Sequence, residues 1–211
     1  MGKLIAMGEL LIDFTADSPG ELKSIASFTK NAGGAPANVA VRAARHGERA
    51  VYITALGEDA FGDFLLDTLR REGVDVSHIK RTDKANTALA FVSLTESGER
   101  DFSFYRNPSS DLLLSPEDVE PSLFSDGDIF HFGSVELVPY PVKDAHVAAL
   151  ALAEKNGLLV SFDPNLRFPL WKSREALKET VLEFIPKCHL LKISDEELLF
   201  LSGDTCESSI A

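Results

Sequence analysis

Segments patterned like buried strands and segments patterned like amphipathic helices take turns along almost the whole chain. KLIAMGELLIDF reads as a strand with a buried centre, PANVAVRAARHG as a helix stopped by Gly47, AVYITAL as a β-branched strand, and DAFGDFLLDTLRREG as a helix ending at Gly73. DIFHFG, HVAALALAEKNG, LLVSFD, SREALKETVLEFI, HLLKI and SDEELLFLSG continue the alternation. This pattern predicts an α/β fold with a mostly parallel sheet flanked by helices and right-handed crossovers. Ligands in such sheets bind beyond the carboxyl ends of the strands, so chemistry is expected on that rim.

One stretch breaks the rhythm. Residues 86–106, NTALAFVSLTESGERDFSFYR, hold two β-rich runs around ESGE, the signature of a hairpin. FVSL and FSFY alternate apolar with polar residues, as a sheet wet on one side would. LKSIASFTK, residues 22–30, offers a further strand. These pieces predict a small β-sheet outside the main one, serving as a lid or as a dimerisation surface, because so small a sheet must pack on something.

Composition removes several function classes. With 211 residues and 45% apolar content, the chain can build one large domain with a real core. The formal net charge is -12 and there is no basic run, which argues against a nucleic-acid surface. Cys188 and Cys206 form neither a disulfide framework nor a metal-binding spacing, as suits a reducing cytoplasm. The N-terminal residues lack the pattern of a signal peptide, and no run of about 18 apolar residues suggests a membrane span.

The polar residues worth singling out fall where the predicted strands end. In NAGGAPANVAVRAARHG, the Gly33–Gly34 pair lets the backbone turn tightly and approach a ligand, Pro36 suits a first helical turn, and Asn38 follows as a polar hook. Asp13 closes the first strand; Asp163, Asn165 and Arg167 follow LLVSF; Glu196 and Glu197 follow HLLKI. Each has a plain structural alternative, since Asp caps turns, DPN is an ordinary turn sequence, and acidic residues favour a helix N-terminus. Their shared rim favours a site. His131 reads as structural, His46, His78, His146 and His189 show no ligand spacing, Trp171 reads as packing, and DVEPSLFSDGD reads as a solvated connection.

GGAPANVA, FYRNPSSD, FDPNLRFPLW and KISDEELLFL together resemble the fructokinases of the ribokinase-like, phosphofructokinase-B carbohydrate kinase family, from residue 3 to about residue 203. The resemblance implies a ribokinase-like domain, incomplete over residues 1–211, with lid segments at about 14–32 and 84–108. It implies ATP-dependent phosphorylation of fructose, with ATP and Mg as cofactors, and a homodimer through the lid. Asp13 and Asn38 match residues that bond sugar hydroxyls, Gly33 and Gly34 match the hinge of the sugar site, and Arg106 resembles a lid arginine that reaches into it. Asp163, Asn165 and Arg167 correspond to the polar group near the transferring phosphate, Lys192 and Ser194 to nucleotide contacts, and Glu197 to the glutamate that holds magnesium through water. Many members carry Asn at the position of Ser194, although fructokinases of this type commonly carry Ser. The family's catalytic base is an Asp in a GAGD turn, a motif these residues do not contain; the resemblance places it, with most of the adenine pocket, in a further C-terminal part. Two alternatives stay open: a 2-keto-3-deoxygluconate kinase, whose acid substrate would suit Arg106 and Arg167, and a truncated, non-catalytic sugar-binding or interaction protein.

Overall fold

The structure, a computed structural model, describes residues 2–94 and 100–203, the side chain of Arg100 excepted. Six strands form a parallel sheet in the order β10-β9-β8-β1-β4-β5: β1 (Leu4–Met7), β4 (Ala50–Gly57), β5 (Ile79–Thr82), β8 (Ile129–Gly133), β9 (Leu159–Asp163) and β10 (Leu190–Leu191). Among the described residues five α-helices cover it: α1 (Ala35–Arg45), α2 (Ala60–Arg71), α3 (Pro141–Lys155), α4 (Arg174–Phe184) and α5 (Asp195–Ser202). None of the helices among the described residues is long and apolar enough to cross a membrane.

Alternation along the strands divides the core in two. Ile5 and Met7 of β1 join Phe130, Phe132 and Phe162 against Ala145 and Ala149 of α3 and Val181 and Phe184 of α4. Ala6 and Tyr52 point to the opposite face, against Ala37 and Ala40 of α1 and Leu65 and Leu69 of α2. A sheet buried on both faces explains why its strands read as nearly continuous apolar runs. Each fully buried large side chain here adds roughly 2 kcal/mol.

The expected small sheet is present, with four strands in the order β3-β2-β6-β7: β2 (Leu11–Ala16), β3 (Phe28–Gly33), β6 (Leu89–Leu94) and β7 (Arg100–Tyr105). Strands β2 and β6 run parallel, and each pairs antiparallel with its other neighbour. The ESGE turn lies outside the described residues, as does Cys206.

Four expectations need correction. KLIAMGELLIDF is two strands in two sheets, because the chain bends at Gly8 and Glu9 and leaves the main sheet. A run apolar on both sides of the bend hides the change of sheet. LKSIASFTK is a strand only from Phe28, with a 3-10 turn at Leu22–Ser24. The small sheet is aromatic on both faces: Phe102 and Phe104 line a cavity, while Phe14, Phe28, Phe91 and Tyr105 cluster on the other side. DVEPSLFSDGD is no solvated connection, because Val119, Leu123 and Phe124 are buried in the core beside two proline-led 3-10 turns.

Candidate active site

The first half of the site is made where the two sheets meet. Gly34 caps the start of α1 at φ 123°, a conformation that side chains resist, and a Cβ there would lie 2.2 Å from the Glu9 carbonyl oxygen. A Cβ on Gly33 would lie 2.1 Å from Asp13 Oδ2, so only glycine lets this carboxylate lie against the turn. Asn38 is exposed on the first turn of α1. A cavity of about 340 Å³ collects Asp13, Gly34 and Asn38 with Phe102 and Phe104 of the small sheet, and with Asn165 and Arg167 from the far side. The Asp13 carboxylate has no hydrogen bond to another described residue. Burial pushes its pKa up, and the charge of Arg167 works against that rise.

The second half lies beyond β9 and β10. Asn165 adopts φ 46°, a left-handed conformation Asn tolerates better than most residues, and this turns the chain sharply after Asp163. Arg167 donates from Nη1 to the carbonyl oxygen of Leu166 at 3.1 Å. Lys192 Nζ lies 3.3 Å and 3.2 Å from the two carboxylate oxygens of Asp163. Burial raises the Asp163 pKa and the Lys192 ammonium counters it. Glu197 accepts the Leu166 N–H at 2.7 Å on Oε1 and the Ser194 N–H at 3.0 Å on Oε2, while Ser194 Oγ accepts the Glu197 N–H at 3.3 Å. The pair is a capping box at the start of α5. A second cavity of about 340 Å³ gathers Asn165, Arg167, Lys192, Ser194, Glu196 and Glu197. Asn165 and Arg167 line both cavities, whereas Asp163 lines neither.

Arg106 stands apart. It is buried and ion-paired with Asp111, and it lines larger cavities of about 550 and 630 Å³ that include neither Asp13 nor Asn38. The smaller cavity is the better candidate for a polar ligand, since it gathers Asp13, Asn38, Asn165 and Arg167 at one place. Sequence reasoning missed the acids around Arg106: Glu9, Asp111 and Glu136 are all buried. The available signal was a lone acid inside an apolar run, as in MGELLI and SVELV. His131 is buried, its Nδ1 lies 3.0 Å from Ser161 Oγ, and burial lowers its pKa to about 4, which keeps it neutral.

Among the described residues no cluster of three or more His, Cys, Asp or Glu is placed to hold a metal ion. The donors in the second cavity are hard oxygens, and both Glu197 oxygens already accept backbone N–H groups. That set fits magnesium only as an ion that keeps most of its own water, its usual habit at phosphate sites.

The chain matches the family of pfkB family carbohydrate kinases over residues 1–210, and it belongs to that family. It is 44% identical over 201 residues to probable fructokinase-4 of Arabidopsis thaliana, covering 95% of this chain and 62% of that protein. It is 42% identical over 203 residues to fructokinase-2 of Solanum lycopersicum, covering 96% of this chain and 62% of the relative. The chain thus spans under two thirds of the length of these relatives. Among solved structures, the apo fructokinase of Vibrio cholerae O395 superposes with a TM-score of 0.88 at 34% identity, covering 100% of this chain and 69% of that one. An uncharacterized sugar kinase from Pyrococcus horikoshii in complex with ATP gives 0.88 at 33% identity, covering 95% of this chain and 66% of that one.

Proposed function

We propose that the full-length protein transfers the γ-phosphoryl group of ATP to the 6-hydroxyl of fructose, yielding fructose 6-phosphate and ADP. The observation that carries this reading is the sharing of Asn165 and Arg167 between two adjoining cavities. A kinase needs such a junction, because an alcohol and a phosphate must meet in line with little other help from the protein. Asp13 and Asn38 would hold sugar hydroxyls, with the backbone at Gly33 and Gly34 forming the wall. Asn165, Arg167 and Lys192 would face the transferring phosphate, with Asp163 orienting Lys192 and Ser194 bounding the nucleotide side. Glu197 would hold hydrated magnesium, which when bound offsets charge on the β- and γ-phosphates. The hydroxyl oxygen attacks the γ-phosphorus, the bond to the bridging oxygen of ADP breaks, and the hydroxyl proton passes to the family's GAGD aspartate.

The relatives' names favour fructose. The pairing of Arg106 with Asp111 weakens the 2-keto-3-deoxygluconate alternative, because Arg106 would have to exchange that partner before meeting a substrate carboxylate. Arg106 is accordingly proposed as a sugar contact only after such an exchange. A homodimer through the outer face of the small sheet is also proposed, on the strength of the Phe28, Phe91 and Tyr105 cluster, where Tyr105 is 62% exposed. A cytoplasmic site of action suits Cys188, a free thiol.

The deciding experiment is a steady-state assay of the full-length protein with ATP and magnesium, comparing fructose with 2-keto-3-deoxygluconate. A kcat/KM at least about tenfold higher for fructose is the expected outcome. Preference for the acid, or sugar binding without turnover, overturns the assignment.

A further inference from the structure

Glu9 occupies the bend at which the chain passes from the main sheet into the small one, and it bonds in two directions. Its Oε1 accepts the N–H of Ala35 at 2.8 Å, the first residue of α1. Its carbonyl oxygen accepts the Tyr52 hydroxyl at 2.8 Å, which ties the bend to β4. The same carbonyl is closed over by Gly34, where no side chain fits. Gly34 supplies no side-chain cap, so the Glu9 carboxylate takes the place of one from outside the helix. Its Oε2 is buried without a hydrogen-bond partner among the described residues, as is Arg106 Nε. The His146 Nε2 lies 4.0 Å from Glu136 Oε2. Asp111 is ion-paired with Arg106, just beyond the end of β7, and the same guanidinium charge also acts on the buried Glu9 and Glu136 carboxyl groups.

We propose that Glu9 is a positioning residue: it fixes the start of α1, which carries Asn38, against the start of β2, which carries Asp13, and so sets the spacing of the two proposed sugar contacts. The inference rests on the sugar-kinase reading above. Glu9 lines the cavity of Asp13 and Asn38, but the role assigned to it acts through the helix start. The role needs one acceptor for the Ala35 N–H, so glutamine, whose amide oxygen can still accept it, should substitute for Glu9.

The test compares Glu9→Gln, Glu9→Asp and Glu9→Ala in the full-length protein, with KM for fructose, kcat, thermal midpoint and amide exchange at Ala35 as readouts. The expected result is that Glu9→Ala and Glu9→Asp raise the fructose KM about tenfold with kcat changed less than about threefold and with faster exchange at Ala35, while Glu9→Gln restores both. If Glu9→Ala does not fold, Glu9→Asp decides, since it keeps the carboxyl group and shortens the reach. A folded Glu9→Asp with wild-type KM overturns the inference, as does a lowered thermal midpoint in all three variants with KM unmoved. Failure of the kinase reading shows separately as absent turnover in the wild type. Amide exchange then remains the readout, and unchanged exchange at Ala35 in Glu9→Asp overturns the inference.

Discussion

The two halves of the site differ in how their polar groups are spent. On the proposed sugar side Asp13 is half-buried with no hydrogen bond to a described residue, and Asn38 projects from a helix start held by another residue's carboxylate. On the proposed phosphate side Asp163 is taken by Lys192, Glu197 by two backbone N–H groups, and Ser194 by Glu197. The first half is preorganised with groups left open, so a ligand gains hydrogen bonds without breaking any. The second is internally satisfied, and a phosphate must exchange partners to be held, which weakens net binding at that side. Arg167 belongs to both, and its loss should tell most.

Replacing Arg167 with Ala should lower kcat/KM of the full-length protein by about a thousandfold, since it removes the charge at the proposed junction of phosphate and alcohol. A change under tenfold would mean that the two cavities do not exchange a phosphoryl group there. Asn38→Ala is expected to raise the fructose KM by tenfold or more, about 1.4 kcal/mol, and leave the KM for ATP in place. Equal effects on both substrates would erase the contrast between the halves. Glu197→Gln keeps one backbone acceptor and loses the other, so chemical denaturation should show a loss of about 1 kcal/mol while sugar affinity holds. The smallest effect concerns pH. Burial raises the folded-state pKa of Asp13, so the folded chain keeps that proton to higher pH than the unfolded chain does. Asp13 therefore costs stability as pH rises from the ordinary carboxylate range through its raised value. Denaturation of Asp13→Asn should show a gain of less than about 1 kcal/mol at pH 7 and none near pH 3, where both forms are neutral. A gain that is the same at both pH values would assign the effect to packing.

The main sheet was legible because burial on both faces leaves long apolar runs, and the helices between them carry period and stop signals. Two elements were lost for physical reasons. The division between β1 and β2 falls inside one apolar run, and a strand bonded to a different sheet has the same side-chain period as before. Strand β5 is only four residues long, Ile79–Thr82, with no alternation to announce it. The candidate site was partly legible for a similar reason. Asp13, Asn38, Asn165 and Arg167 stand beside turn residues whose backbone demands are visible in the sequence, and they line one cavity. Glu9, Asp111 and Glu136 sit among apolar neighbours, and what makes them notable is burial around one guanidinium, a property of the folded chain alone.

The small sheet is hydrogen-bonded separately from the six-stranded layer, although Ile12 of β2 packs into the core shared with that layer. Asp13 rides on the small sheet, whereas Asn38 and Arg167 are fixed to elements of the six-stranded layer. Any tilt of the upper sheet alters the Asp13–Asn38 span and leaves the Asn38–Arg167 span as it was. The length of ligand that the proposed sugar contacts would accept therefore follows from an angle between two sheets rather than from the size of any one side chain.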